Sequence, residues 1–330
     1  MSTVYLIGAG ASNAIWELPL LGTFFRYVNW QPEDRELEQY LTTRFGTPSS
    51  QNLEEVLADI ENAAYGLGAM RYGPYGKPTI NALQARPGLL SLIQRTCTFP
   101  SERLSDEGFV QEYDRVLGSF HAKRGDRIIT LNYDRGIEKY LHKSEKVAPA
   151  DLEFKMAYLP MSPSSAIPFN GNRFGGCEIP LLKLHGSVDY FVCCNPECPS
   201  GRPLLVKGYM QTGSGCSHCG AHLQCLVVPP TLKKSFGEYP RLAFLWRLAE
   251  ALLTECDRLV VWGFSCPDSD QHVRWLLRNA FRPEAGSKPP LKRVDVIDPN
   301  DDVMERLMSI LGCGEELEWN RFKRHEEYRQ

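Results

Sequence analysis

Short runs of mainly apolar residues recur along the chain, and each of them stops at a glycine or a polar residue. The runs cover residues 4–7, 127–131, 181–184, 259–262 and 294–297. Runs of this length that end in turn residues are typical of buried strands. Because stretches with helical periodicity alternate with them, the pattern predicts a mostly parallel sheet covered by helices on both faces.

Residues 31–120 differ from this alternation, because they are rich in charged residues and helix formers. Leu53, Val56, Leu57 and Ile60 recur there at helical spacing, with Asn52 ahead of them as a start signal. We therefore expect a helical insertion. No internal repeat is present, and the pattern predicts one domain over residues 1–330 with a Rossmann-like, doubly wound parallel sheet.

Composition narrows the class of protein without pointing to a ligand. Of the 330 residues, 43% are hydrophobic and 23% are charged, and the formal net charge is −3. These values are ordinary for a globular protein and give no direct signal for nucleic acid. No apolar run reaches the roughly 18 residues of a membrane helix, and no basic side chain precedes the first apolar run. We therefore expect a cytoplasmic protein with no membrane contact.

A group of cysteines predicts a small metal-binding module over residues 193–225. The expected ligands are Cys193, Cys198, Cys216 and Cys219. Cys193 with Cys198 and Cys216 with Cys219 make two close pairs along the chain, and two such pairs can converge on one tetrahedral zinc. A site with four protein ligands is closed and structural. Residues near enough to substitute are Cys194, His218, His222 and Cys225. Buried free thiols are the alternative interpretation.

Polar motifs follow the predicted strands, at the edge of the sheet where open α/β folds bind ligands. They are Gly8-Ala9-Gly10-Ala11-Ser12, Asn132-Tyr133-Asp134, His185-Gly186, Gly263-Phe264-Ser265 and Asp298-Pro299-Asn300. Each also has a structural explanation: a tight glycine turn, a helix cap or a histidine with structural partners. A dehydrogenase fingerprint would need a third glycine where Asn13 stands and, about 20 residues later, a second strand that ends in an acidic residue. The glycine is missing, and the later stretch is polar and has a helical pattern.

The order of these motifs along the chain resembles the sirtuin family. The segments TLNYD at 130–134, LLKLHGS at 181–187 and VVWGFSCPDSD at 260–270 are similar to the prokaryotic sirtuin-like branch found in anti-phage defence proteins. The resemblance extends over nearly the whole chain. It implies an enzyme that uses NAD and carries a structural zinc.

The resemblance also implies a role for each motif. Gly8, Ala9, Gly10 and Ser12 would hold the pyrophosphate of NAD, and Gly263, Ser265 and Asp298 would line its adenosine side. Asn132 and Asp134 would hold the nicotinamide ribose and the carboxamide, and His185 would be the base.

Two departures separate this chain from sirtuin protein deacylases. After the cysteine module the chain reads Leu226-Val-Val-Pro229-Pro230, and a proline without N–H cannot pair with an acyl-lysine peptide. The first helix has Leu18-Pro19 in place of the sirtuin Asp-Phe-Arg, which Phe25-Arg26 matches only in part. Both favour an NAD glycohydrolase that acts in anti-phage defence by NAD depletion. The alternatives are an NAD-dependent protein deacylase and a non-enzymatic sensor of NAD or ADP-ribose.

Unrestrained hydrolysis of NAD would kill the cell that makes such an enzyme, so its activity must be controlled. The predicted strands end near residue 297, and we expect only a helix and a short polar tail after them. That leaves no room for a sensor domain of about 50 residues or more. We therefore expect a homo-oligomer that docks a partner, for example a DNA-translocating ATPase of the kind that accompanies some relatives.

Overall fold

The computed structural model describes residues 2–64, 80–98, 106–147, 180–195, 197–198, 205–206, 215–216, 218–228, 240–282, 291–312 and 317–328. The helices within these ranges are α1 (Ala9–Trp16), α2 (Arg35–Phe45), α3 (Leu53–Ala64), α4 (Ala82–Thr96), α5 (Asp106–Leu117), α6 (Gly136–Lys143), α7 (Pro240–Thr254), α8 (Gln271–Ala280) and α9 (Asp302–Leu311). The strands are β1 (Thr3–Ile7), β2 (Arg127–Thr130), β3 (Leu181–Lys183), β4 (Gly186–Cys193), β5 (Leu205–Val206), β6 (Leu223–Val227), β7 (Arg258–Trp262), β8 (Arg293–Ile297) and β9 (Glu318–Phe322). None of the helices described is long and apolar enough to cross a membrane.

The main sheet has six parallel strands in the order β3-β2-β1-β7-β8-β9. The chain begins in the middle at β1, adds β2 and β3 on one side, and returns to the other side with β7, β8 and β9. The order therefore reverses between β1 and β7, and such a point is where open α/β sheets bind ligands. The five strands predicted from apolar runs are all present, as β1, β2, β3, β7 and β8.

Helices cover both faces of this sheet, so the prediction of a doubly wound fold is confirmed. On one face, strand residues such as Leu6 and Val261 pack against α7, α8 and α9. On the other face, Tyr5 and Val260 pack against α1, α5 and α6. Because successive strand residues point to opposite faces, a strand covered on both sides needs a nearly continuous apolar run.

A second core combines the cysteine module with α2, α3 and α4. The module contains the antiparallel sheet β5-β4-β6, and its long strand β4 begins directly after His185 and ends at Cys193. The helices of residues 31–120 are thus divided between two cores, because α5 packs on the main sheet instead. The start signal at Asn52 is real, since its side-chain oxygen accepts the N–H of Glu54 at 2.9 Å.

The expectation that the strands end near residue 297 is wrong. β9 follows α9 and pairs with β8 along its whole length, from Arg293 opposite Glu318 to Ile297 opposite Phe322. Its residues are exposed or half-buried, so it lacks the apolar run that marks the other strands. Edge strands commonly carry charged residues, because these discourage pairing with a second chain.

Candidate functional site

A cleft of about 660 Å³ runs along the carboxyl edge of the main sheet. The loops after β1, β2, β3, β7, β8 and β9 form one wall, and Phe24, Leu53 and Ile93 of the second core contribute to the other. Its lining includes Gly8, Ala9, Gly10, Ser12, Asn132, Asp134, His185, Gly263, Ser265 and Asp298. The structure therefore brings together all ten residues that sequence analysis assigned to a nucleotide.

The loops after β1 and β7 meet backbone to backbone at the middle of the cleft. The N–H of Gly10 donates to the carbonyl of Gly263 at 2.8 Å. A Cβ on Gly263, where φ is +63°, would lie 2.1 Å from the nitrogen of Ala11, and one on Gly8 would lie 2.6 Å from the Gly263 oxygen. These glycines are therefore required by packing alone. The amino end of α1 also lies at the cleft, where the helix dipole favours an anion.

Asn132 is 6% exposed and its amide is held in one orientation. Nδ2 donates to the carbonyl of Gly8 at 3.0 Å and to Oγ of Ser12 at 2.9 Å. Because a carbonyl can only accept, the nitrogen must face Gly8, and Oδ1 is the other end of the amide. Oδ1 is buried and has no hydrogen-bond partner within the described part of the chain. A buried carbonyl in this state is costly, so it is the group of the cleft that most needs a donor.

Asp134 has two partners within the fold. Its Oδ2 accepts the hydroxyl of Ser12 at 2.7 Å, and its Oδ1 accepts the N–H of Gly136 at 2.8 Å at the start of α6. The motif thus forms the expected Asx turn, directly before α6, whose N-cap residue is Arg135. In addition, the bond to Ser12 fixes the hydroxyl that accepts from Asn132.

Lys183 connects the loop after β2 to the end of β3, although its side chain is only 1% exposed. Nζ donates to the carbonyl of Asp134 and pairs with Oε1 of Glu138 at 2.8 Å. Burial raises the pKa of Glu138, and the nearby Lys183 charge acts to lower it. Sequence analysis missed this residue. The available signal was a lysine inside an apolar run, since lysine is almost never fully buried without a partner.

His185 lies in the tight turn between β3 and β4 and is 3% exposed. Gly186 makes the turn possible, because its φ is +82° and a Cβ there would lie 2.1 Å from the carbonyl oxygen of Leu226. The imidazole lies beside the Trp246 ring, with 5.9 Å between the centroids. Nε1 of Trp246 donates to the carbonyl of Leu184 at 3.0 Å, which anchors the same turn.

The other end of the cleft, after β7, β8 and β9, carries charged groups. Asp298 is buried, and this burial raises the pKa of its carboxyl group, whose Oδ1 accepts the N–H of Asn300 at 2.9 Å. Ser265 is exposed, and its carbonyl accepts from Arg306 at 3.1 Å. Residues 323–326 also line the cleft. Sequence analysis missed them because it did not predict β9.

The four cysteines of the predicted module form one cluster. Their sulfurs all lie within 4.8 Å of one another, with 3.4 Å between Cys193 and Cys219 and 3.8 Å between Cys198 and Cys216. Sulfurs about 2.3 Å from a tetrahedral zinc would be about 3.8 Å apart, so this donor set fits a structural zinc. Among the alternatives, Cys194, His218 and His222 are exposed, and Cys225 contacts Ser187 instead.

Burial raises the pKa of the Cys193 thiol to about 12. A raised pKa favours the protonated form of this thiol. Binding of zinc would displace such protons, because the metal ligand is the thiolate.

Comparison with known proteins finds structural neighbours only. No family model matches the chain, and no curated protein matches it. A Sir2 homologue in complex with NAD aligns with a TM-score of 0.43 and 15% identity, over 99% of this chain and 85% of that one. A mutant Sir2 homologue with 2′-O-acetyl ADP ribose aligns with a TM-score of 0.46 and 14% identity, over 99% and 88%. Sir2 bound to an acetylated peptide aligns with a TM-score of 0.39 and 11% identity, over 99% and 89%. Because these TM-scores and identities are low, the fold class is assigned from the strand order and not from these neighbours.

Proposed function

We propose that this protein is an NAD glycohydrolase, which cleaves NAD into nicotinamide and ADP-ribose. The observation that carries the proposal is that residues from five separate motifs line one cleft, together with a buried Asn132 carbonyl that has no hydrogen-bond partner among the described residues. The cleft volume of about 660 Å³ is ordinary for a small-molecule site. The sirtuin-like motifs supply the identity of the ligand.

In this proposal NAD extends along the carboxyl edge of the sheet. Its nicotinamide riboside lies at Asn132 and His185, its pyrophosphate at the amino end of α1, and its adenosine at Gly263 and Asp298. Parallel strands are about 4.8 Å apart, so six of them give an edge of about 24 Å. That length suits an extended dinucleotide, and the helix end offers the positive potential that a pyrophosphate needs.

The reaction breaks the bond between the nicotinamide nitrogen and C1′ of the ribose. Nicotinamide leaves with the bonding electrons, and the sugar becomes oxocarbenium-like, as in glycoside hydrolysis. Water then adds to C1′ and gives a proton to His185. Base assistance of this kind contributes roughly 10²–10⁴-fold. Oδ1 of Asn132 accepts a hydrogen bond from a ribose hydroxyl or from the attacking water, because Nδ2 is already committed.

Ser12 and Asp134 act through Asn132 in this scheme, since their hydrogen bonds fix the amide that touches the substrate. A zinc held by four cysteines has no open coordination position and would not activate water. It would hold the end of β4, the strand that starts directly after His185. The metal would therefore support the position of the base from a distance.

The direct test is incubation of the purified protein with NAD and no peptide, followed by product analysis. Nicotinamide and ADP-ribose should appear in equal amounts. Strict dependence on an acetylated peptide, with acetyl-ADP-ribose as product, would identify a deacylase instead. Bound but intact NAD would identify a sensor. Pro229 and Pro230, on which the sequence argument against a deacylase rests, lie outside the described residues.

We further propose, from the sequence resemblance, that the enzyme acts in the cytoplasm in anti-phage defence by depleting NAD. Its activity would be controlled by homo-oligomerisation and by a partner such as a DNA-translocating ATPase. Light scattering and turnover should be measured together across protein concentration, with and without the product of the neighbouring gene. A monomer that hydrolyses NAD at full rate at every concentration, unaffected by the partner, would contradict this.

A further inference from the structure

We infer that the cleft accepts NADP as well as NAD, with the 2′-phosphate of the adenosine ribose bound by Lys323. The inference rests on the proposed function, because it takes the dinucleotide with its nicotinamide at His185 and its adenosine at Asp298. It concerns residues 323–326, which line the cleft after β9.

Asp298 and Lys323 are the first residues after two neighbouring strands. Ile297 pairs with Phe322, and the N–H of Asp298 donates to the carbonyl of Phe322 at 3.0 Å. Both residues line the cleft. Since adjacent strands are about 4.8 Å apart, a hydroxyl bound by Asp298 lies within reach of a lysine side chain that starts at the end of β9. In dinucleotide-binding sheets the ribose is held either by an acidic residue that binds its hydroxyl or by a basic residue nearby that accommodates a 2′-phosphate. This end of the cleft carries one residue of each kind.

The charges at this end of the cleft leave Lys323 available for a phosphate. Neighbouring arginines each have a carboxylate: Arg306 pairs with Asp302, Arg321 with Asp301 and Arg324 with Glu327. Among the residues that the structure describes, none offers Lys323 Nζ a carboxylate within 4.0 Å. An ionised Asp298 would repel a phosphate, but its burial raises the pKa of the carboxyl group and so weakens this repulsion.

The first experiment measures kcat/KM for NAD and for NADP in the wild type, Lys323→Ala and Lys292→Ala. Lys292 is the matched control, because it is exposed at the opposite edge of the sheet beside Asp257. We expect the kcat/KM values of the wild type for NAD and for NADP to agree within about tenfold. Lys323→Ala should lower the ratio of kcat/KM for NADP to kcat/KM for NAD by about tenfold, as loss of a charge-assisted hydrogen bond would. The ratio cancels any general loss of activity, and Lys292→Ala should leave it unchanged.

A second experiment does not depend on hydrolysis. Calorimetry measures the affinity of ADP-ribose and of 2′-phospho-ADP-ribose for the same three proteins, at low and high salt. The ratio of the two affinities should fall about tenfold in Lys323→Ala, and salt should weaken the phosphorylated ligand more. A wild type that hydrolyses NAD but rejects NADP and 2′-phospho-ADP-ribose, or an unchanged ratio in Lys323→Ala, overturns the inference. The expected shift in a protein without hydrolase activity would support this site and refute the proposed function.

Discussion

The two ends of the cleft are held together by different kinds of contact. At the end formed by β2 and β3, buried side chains bind one another, as Asn132 does with Ser12 and Lys183 with Glu138. At the end formed by β7, β8 and β9, backbone packs on backbone at Gly263, and the charged side chains are mostly exposed. Buried networks fix groups in one geometry, whereas exposed charges adapt to a ligand. We therefore expect substitutions at the first end to change turnover and those at the second to change affinity.

The largest effect is expected from Asn132→Ala and His185→Ala. Each should lower the rate of nicotinamide release by at least about 10²-fold, because each removes a group that touches the reacting ribose or water. The affinity for ADP-ribose should change far less, since the adenosine end stays intact. Product release and calorimetry on the same preparations provide both numbers.

Two exposed residues serve as matched controls for these variants. Asn279 on α8 and His142 on α6 are exposed and lie outside the cleft lining, so Asn279→Ala and His142→Ala should behave as the wild type. Near-normal turnover in either cleft variant would show that the reaction does not take place at the β2–β3 end.

Loss of one zinc ligand should affect the β2–β3 end next most strongly. Cys193→Ser should lose the roughly one zinc per chain expected for a four-ligand site and should unfold the module, because structural zinc contributes about 10–16 kcal/mol in small domains. Turnover should fall as well, since β4 joins Cys193 to the turn that carries His185. Metal analysis and thermal melting measure these effects.

Cys194→Ser is the control for the zinc prediction, because Cys194 is exposed next to the same strand end. It should keep both zinc and activity. Full zinc content in Cys193→Ser, or a disulfide between the clustered cysteines, would contradict the assignment.

Sequence patterns predicted the five strands of the sheet that are buried on both faces, because such strands need apolar residues at most positions. β9 was not predictable in this way, since it is an edge strand with Glu318, Asn320 and Arg321 among its five residues. The same reasoning explains which residues of the site could be predicted. Residues directly after predicted strands could be assigned to one edge, because the carboxyl ends of parallel strands meet there.

Other parts of the cleft come from packing that no local pattern reports. Leu53 and Ile93 reach it because α3 and α4 share a core with the cysteine module, and Lys323 reaches it because β9 adds to the sheet. The Asn132 carbonyl, which has no partner within the part of the chain that the structure describes, was not predictable either. Its orientation depends on a hydrogen bond from the same amide to Gly8, a distant part of the chain.

Lys183→Met should lower stability and turnover together. It leaves Glu138 buried without its cation, and breaking a buried ion pair in this way typically costs about 3–5 kcal/mol. Lys183 acts to lower the pKa of Glu138, so its loss raises that pKa further. A carboxyl group whose pKa is raised in the folded state contributes stability below its unfolded pKa, and this is lost as pH rises through the folded value. The variant should therefore lose most stability towards neutral pH, as urea unfolding across pH can measure.

The double variant Lys183→Met with Glu138→Leu separates the charge from the hydrogen bonds. It should regain stability and lose this pH dependence, because both members of the buried pair are gone. Turnover should stay low, since the carbonyl of Asp134 still lacks its donor. Recovery of full turnover would show that Lys183 does not position the loop of Asn132.

Trp246→Phe gives the smallest expected effect and the finest test of the division between the two ends. The variant keeps an aromatic ring beside His185 but loses the Nε1–H that donates to the carbonyl of Leu184. A neutral hydrogen bond contributes about 0.5–1.5 kcal/mol, so kcat should fall by roughly 2- to 10-fold while KM for NAD stays the same. Trp246→Leu should lower kcat further, because it removes the ring as well. Trp275→Phe on the exposed surface of α8 is the control and should change neither constant. If Trp246→Phe instead raised KM and left kcat unchanged, the turn of His185 would contribute to binding alone, and the two ends of the cleft would not differ in the way proposed.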